Sequence, residues 1–116
     1  MNGKKQKILC VCQGGNSRSV HLAYLLKDRY RFDALACGWE GNAEDTLMYL
    51  CKWAEVIIVV QPMFVEKISE KFREKVIVMD CGEDRYFNPN LELLDIFGKL
   101  ISEHVVQVTN AKASTT

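Results

Sequence analysis

Cys12 is followed six positions later by Arg18 and then Ser19, and the residues between them, Gln13-Gly14-Gly15-Asn16-Ser17, are small or polar. These residue types at this spacing can bind and attack a tetrahedral oxyanion. Successive backbone N–H groups in a tight glycine-bearing loop can converge on one point, and a helix starting just beyond adds partial positive charge there. Cys12 would lie at the base of that cradle, where N–H groups and Arg18 favour a thiolate nucleophile. The planar fork of Arg18 can hold two equatorial oxygens of the anion at once. Ser19 can donate a hydrogen bond to the Cys12 sulfur and can also cap the helix that follows. The same spacing fits a blander arrangement, a buried strand-end cysteine, a turn and an exposed helix arginine. An apolar run before the loop, Ile8-Leu9-Cys10-Val11, and helical periodicity after it favour the cradle.

A phosphate ester also needs a proton donor on the leaving side. The polar stretch from Asp80 to Pro89 contains Asp80, Glu83 and Asp84, followed closely by Tyr86 and Phe87. Asp84 is the first candidate acid, because the aromatics that could wall a flat leaving group stand beside it, and Glu83 is the second. Trp39, just after Gly38, is a third candidate wall.

The order of elements must bring these residues together. Gln6–Val11 reads as a buried strand, and Ser19–Arg31 as a helix with Val20, Leu22, Ala23, Leu26 and Tyr30 near one stripe. Phe32–Cys37 reads as a second strand. Asn42 is placed to cap a helix over Ala43–Trp53. The continuous apolar run Val56–Val60 suits the centre of a parallel sheet covered on both faces. Pro62 would open one helix running to about Glu74, Val76–Met79 a fourth strand, and Asn90–Val106 a last amphipathic helix. This alternation predicts an α/β domain, a single three-layer unit over residues 1–110 with a four-stranded parallel sheet, helices on both faces and a polar tail over 111–116. Ligands in such folds bind beyond the carboxyl ends of the strands, where Cys12, Trp39 and the loop after the fourth strand all fall.

Composition narrows the partners. Zero formal net charge leaves no electrostatic footprint for nucleic acid or an anionic membrane, and no apolar run is long enough to span a bilayer. A cytoplasmic protein is expected. Five cysteines are an odd set, and Cys10, Cys37 and Cys51 read as reduced core thiols. Cys10 and Cys12 lack a second Cys/His pair at ligand spacing, so neither a metal nor another cofactor is indicated. His21 reads as a surface residue.

On these residues the chain resembles the low-molecular-weight protein tyrosine phosphatases, especially a short bacterial branch described as predicted protein tyrosine phosphatases. The family signature, Cys-x-Gly-Asn-x-Cys-Arg-Ser-Pro after an apolar strand, has Cys12, Gly14, Arg18 and Ser19 in register. The segments Trp53–Val59 and Lys75–Asp80 are similar to the family's third and fourth strands. Glu83-Asp84-Arg85-Tyr86-Phe87 is similar to its Asp-Pro-Tyr acid loop. The resemblance implies metal-free hydrolysis of a phosphorylated protein or small phosphoester. Cys12 would attack phosphorus to give a phosphocysteine while Asp84 protonates the leaving oxygen, and Asp84 would then act as base for water. The loop departs from the signature at four positions. Gly15 stands where the family has a bracing Asn, and Asn16 is the residue that could replace its hydrogen bonds. Ser17 replaces a second Cys, and Val20 a Pro. Arg85 likewise replaces the Pro after the acid.

Three other chemistries use a similar loop. A phosphocysteine carrier resembling the IIB components of sugar phosphotransferase systems would not need Arg18. An arsenate reductase would need further cysteines, of which Cys81 is the one candidate near the acid loop. A non-catalytic binder of phosphorylated ligands would need only the cradle.

Overall fold

Two apolar runs set the centre of the molecule. In the computed structural model, which describes residues 6–13, 18–40, 44–81 and 94–103, strand β1 (Lys7–Cys12) runs parallel to β3 (Val56–Val59). Ile8 stands opposite Val56 and Val11 opposite Val59. Every residue of Ile8–Cys12 and of Val56–Val59 is buried. Side chains alternate between the faces of a strand, so consecutive burial requires cover on both faces. Strand β2 (Asp33–Gly38) flanks β1, with Lys7 opposite Asp33 and Cys12 opposite Gly38. Strand β4 (Val76–Val78) flanks β3, with Ile57 opposite Val76 and Val59 opposite Val78. The sheet order is β2-β1-β3-β4 and every pair is parallel. This is the α/β architecture that the alternation of elements implies.

Helix α1 (Arg18–Asp28) packs on β1 and β2 and buries Leu22, Leu25 and Leu26. Its end turns through Arg31, at a left-handed φ of 62°, and Phe32 N–H donates to the Leu26 carbonyl as the chain enters β2. Helix α2 (Glu44–Trp53) precedes β3. Its carboxyl end is closed by Lys75, whose Nζ donates to the carbonyls of Cys51 (3.0 Å) and Ala54 (2.7 Å). A further helix, α3, covers residues 94–103, with Phe97 and Ile101 fully buried; each such side chain contributes roughly 1.5–3 kcal/mol of hydrophobic stabilisation. Among the described residues no helix is long and apolar enough to cross a membrane.

One element differs from its sequence pattern. Pro62–Glu74 does not form a single helix; it forms two 3-10 helices, Pro62–Lys67 and Glu70–Lys75, separated by extended backbone at Ile68 (φ −94°, ψ 134°). Phe64, Ile68 and Phe72 are spaced as on a helix face, and all three are buried. The broken path buries the same three side chains, so periodicity alone does not distinguish it from a helix. Local hydrogen bonds hold it: Phe64, Ile68 and Phe72 N–H groups each donate to the carbonyl three residues earlier. Arg73 Nε takes up the Ile68 carbonyl at the break (3.3 Å).

Strand pairing continues beyond the regular sheet at its carboxyl edge. Trp39 N–H donates to the Cys12 carbonyl, Glu40 N–H to Gln13, Val60 N–H to Val11, and Cys81 N–H to Val60. The ladder therefore delivers Cys12, Trp39, Gln61 and Cys81 to one edge, the end of a parallel sheet where ligands are bound.

Candidate active site

Cys12 is the last residue of β1, and its side chain is 2% exposed. Its sulfur lies 3.1 Å from Ser19 Oγ, in a buried hydrogen bond across the connection from β1 to α1. In the thiolate the Ser19 hydroxyl is the donor, so this contact can stabilise negative charge on sulfur. Ser19 was open to a second role, capping the helix. The structure removes it: α1 begins at Arg18, so Ser19 is already inside the first turn with its hydroxyl turned to the sulfur.

Arg18 is not the exposed helix arginine of the blander sequence reading. It is 1% exposed. Its Nη1 donates to Gln61 Oε1 (2.5 Å), from the residue that follows β3 and Val60. The guanidinium carbon stands 5.5 Å from the centroid of the Phe64 ring. The guanidinium also hydrogen-bonds the Cys81 sulfur beyond β4. Three strands thus contribute to one arginine environment, α1 after β1 bringing Arg18 and the ends of β3 and β4 its supports.

Trp39 reaches the same edge from β2. It meets Phe64 edge-on at 5.7 Å between centroids, and the Lys67 ammonium sits 4.4 Å from its ring. Gln13 lies beside it, donating through Nε2 to both carboxylate oxygens of Glu40 (3.2 and 3.3 Å). Val20 is 43% exposed on α1, so the absence of proline there is accommodated at the surface.

The other thiols are held neutral. Burial, then the nearby Cys12, pushes the Cys10 thiol far up from its ordinary value, and the same two causes raise Cys37. Burial and then Cys37 push Cys51 up to about 11. Cys81 is also pushed up to about 11 by burial, with Arg18 acting in the opposite direction. None of the five cysteines is in a disulfide. Among the described residues no group of three or more His, Cys, Asp or Glu side chains could hold a metal ion.

The structure therefore brings Cys12, Gln13, Arg18, Ser19 and Trp39 to one edge. Gly14, Gly15, Asn16 and Ser17 of the cradle lie outside the described residues, as do Glu83, Asp84, Tyr86 and Phe87 of the acid loop and the capping residue Asn42. Gln61 and Phe64 were missed by the sequence reading. One signal could have found Gln61: it directly follows the strongest strand run, at the edge where a parallel sheet binds its ligands.

No protein-family model matches the chain, and no curated protein does so by sequence. Solved structures do match, and they are tyrosine phosphatases. Wzb of Vibrio vulnificus, in complex with benzylphosphonate, shares 15% identity at a TM-score of 0.62, over 92% of this chain and 99% of Wzb. The tyrosine phosphatase AmsI of Erwinia amylovora shares 18% identity at a TM-score of 0.63, covering 93% of each chain. A third structure, of a protein tyrosine phosphatase, gives 16% identity and a TM-score of 0.60, over 91% of this chain and 95% of that one. The chain has the fold of these tyrosine phosphatases. At such identities the likeness is one of fold, and the chemistry must be argued from this chain's own residues.

Proposed function

We propose that this protein is a phosphatase that hydrolyses phosphate monoesters, with protein phosphotyrosine as its substrate class, through a phosphocysteine on Cys12. The reading rests above all on the buried pairing of Cys12 Sγ with Ser19 Oγ at 3.1 Å, beside a buried Arg18 on the same strand edge. The Cys12 thiolate attacks phosphorus, forming an S–P bond as the ester P–O bond breaks. Asp84 gives its proton to the departing oxygen, with Glu83 as the alternative acid. Backbone N–H groups of the loop from Gln13 to Ser17, together with Arg18, hold the equatorial oxygens. Ser19 then stabilises sulfur as it leaves, while the Asp84 carboxylate takes a proton from the attacking water. Trp39, Tyr86 and Phe87 wall the pocket against a flat leaving group. No metal enters this scheme. Benzylphosphonate, the ligand of Wzb, is an aryl-bearing phosphonate and suits the same kind of pocket.

The deciding experiment is hydrolysis of p-nitrophenyl phosphate by the wild type, Cys12→Ser and Asp84→Asn. Turnover by the wild type and its loss in Cys12→Ser are expected. Activity that survives Cys12→Ser removes the nucleophile, and an unaffected Asp84→Asn enzyme transfers the acid role to Glu83. One observation favours a second reading, arsenate reduction: Cys81 is hydrogen-bonded to Arg18. Its thiol, pushed up to about 11, is a poor nucleophile at neutral pH. Arsenate-dependent thiol oxidation that is lost in Cys81→Ser would nonetheless establish that chemistry.

A further inference from the structure

Burying a guanidinium removes a charge from water, which is costly unless the surroundings meet its donors. The usual partner would be a carboxylate, forming a buried ion pair. Around Arg18 three supports are of another kind. Gln61 offers a neutral amide oxygen to Nη1, Phe64 offers a ring face at 5.5 Å, and Cys81 offers its sulfur. The Cys81 thiol, pushed up to about 11 by burial, is neutral at physiological pH.

We propose that Gln61 and Phe64 are positioning residues for Arg18, fixing the guanidinium with neutral contacts so that its positive charge remains for the substrate oxyanion. This rests on the phosphatase reading above and deepens it. A carboxylate in place of the Gln61 amide would hold the same nitrogen equally well. It would also offset the charge that the phosphate must feel, and repel the incoming anion. The ring of Phe64 orients the guanidinium without adding an anion. Position and charge are thereby separated, which an ion pair cannot do. The Gln61 side chain makes no capping hydrogen bond at the start of Pro62–Lys67. Its contact with Arg18 is therefore not needed to form that turn.

The test uses the full chain and two readouts, benzylphosphonate affinity by calorimetry and kcat/KM for p-nitrophenyl phosphate. Gln61→Met keeps length and removes the acceptor, and should weaken both by about tenfold. Gln61→Glu keeps the acceptor and adds charge, and should weaken benzylphosphonate binding more than Gln61→Met does. Phe64→Leu should give a smaller loss of the same kind. In an Arg18→Lys background, Gln61→Met should cost nothing further, because its effect passes through Arg18. A purely structural role predicts instead that Gln61→Glu is tolerated and that the Gln61→Met loss persists in the Arg18→Lys background; either result overturns the proposal. If Gln61→Met does not fold, Gln61→Glu and Phe64→Leu decide by affinity, and wild-type binding in both overturns it. A wild type that binds benzylphosphonate without hydrolysing the ester removes the phosphatase reading, and the binding series alone then judges the positioning role. A wild type that binds no oxyanion overturns both.

Discussion

Two connections leave the central strands at the same edge of the sheet, and they divide the work of the site. The first, from β1 into α1, carries Cys12, Arg18 and Ser19, the groups that would touch phosphate. The second, from β3 into Pro62–Lys67, carries Gln61 and Phe64, which touch Arg18. The first enters a regular α-helix, whose amino end contributes N–H groups and positive potential. The second enters a 3-10 turn and breaks at Ile68, which brings Phe64 against Arg18 and Trp39 while Ile68 stays in the core. Reactive groups need a particular chemistry, whereas their supports need only shape and an acceptor. That difference makes the first connection conspicuous in sequence and the second plain.

Substitutions in the first connection should break the site, and they should do so in a graded order. Cys12→Ser removes the nucleophile and should lower p-nitrophenyl phosphate turnover by roughly 10⁴-fold or more. Arg18→Lys keeps a charge but loses the planar fork, so kcat/KM should fall by roughly 10²- to 10³-fold. An Arg18→Lys enzyme within tenfold of wild type would show that the fork is dispensable. Ser19→Ala leaves the nucleophile in place and removes one donor to the thiolate, with an expected loss of about tenfold to a hundredfold. It should also move the acidic limb of the kcat/KM profile to higher pH, because a thiolate without that donor forms less readily. A loss without such movement would make Ser19 a packing residue.

The same contrast explains what the sequence could disclose. Strand and helix order were legible because Ile8–Val11 and Val56–Val60 are long apolar runs, a pattern that suits a central strand covered on both faces. Cys12, Arg18 and Ser19 were legible because few structural roles ask for those types at that spacing. Gln61 was not, since a glutamine at a strand end has many solvated uses and its value here comes from a side chain 43 positions away. The single helix expected over Pro62–Glu74 failed for a related reason. Burial of Phe64, Ile68 and Phe72 constrains where side chains go, and two backbone paths meet that constraint. Arg73 and the i→i−3 bonds choose between them, and their preference is not visible as periodicity.

Away from the site, stability should depend on the support side of the molecule more gently. Lys75→Met removes the two hydrogen bonds that close the end of α2 and retains the aliphatic stem. It should lower the unfolding free energy by about 1–2 kcal/mol without changing the activity of the folded enzyme. Urea unfolding with an unchanged midpoint would show that water caps those carbonyls equally well.

The smallest effect expected is one of pH, and its sign follows from the buried thiols. Burial raises Cys51 from 9.0 in the unfolded chain to about 11 in the folded one. Below pH 9 both states keep the proton, and the contribution of this thiol to stability is fully present. Between about 9 and 11 the unfolded state loses its proton while the folded state retains it, so unfolding becomes progressively easier as pH rises. Other groups titrate in the same range, and Cys51→Val isolates the thiol because valine has nearly its volume and no proton to lose. The difference in unfolding free energy between wild type and Cys51→Val should be constant up to pH 9 and then shift in favour of the variant. Two curves that remain parallel through pH 11 would mean that the Cys51 thiol titrates alike in both states. Its burial in the core would then carry no electrostatic consequence, and the division between a reactive edge and a neutral interior would rest on Cys10, Cys37 and Cys81.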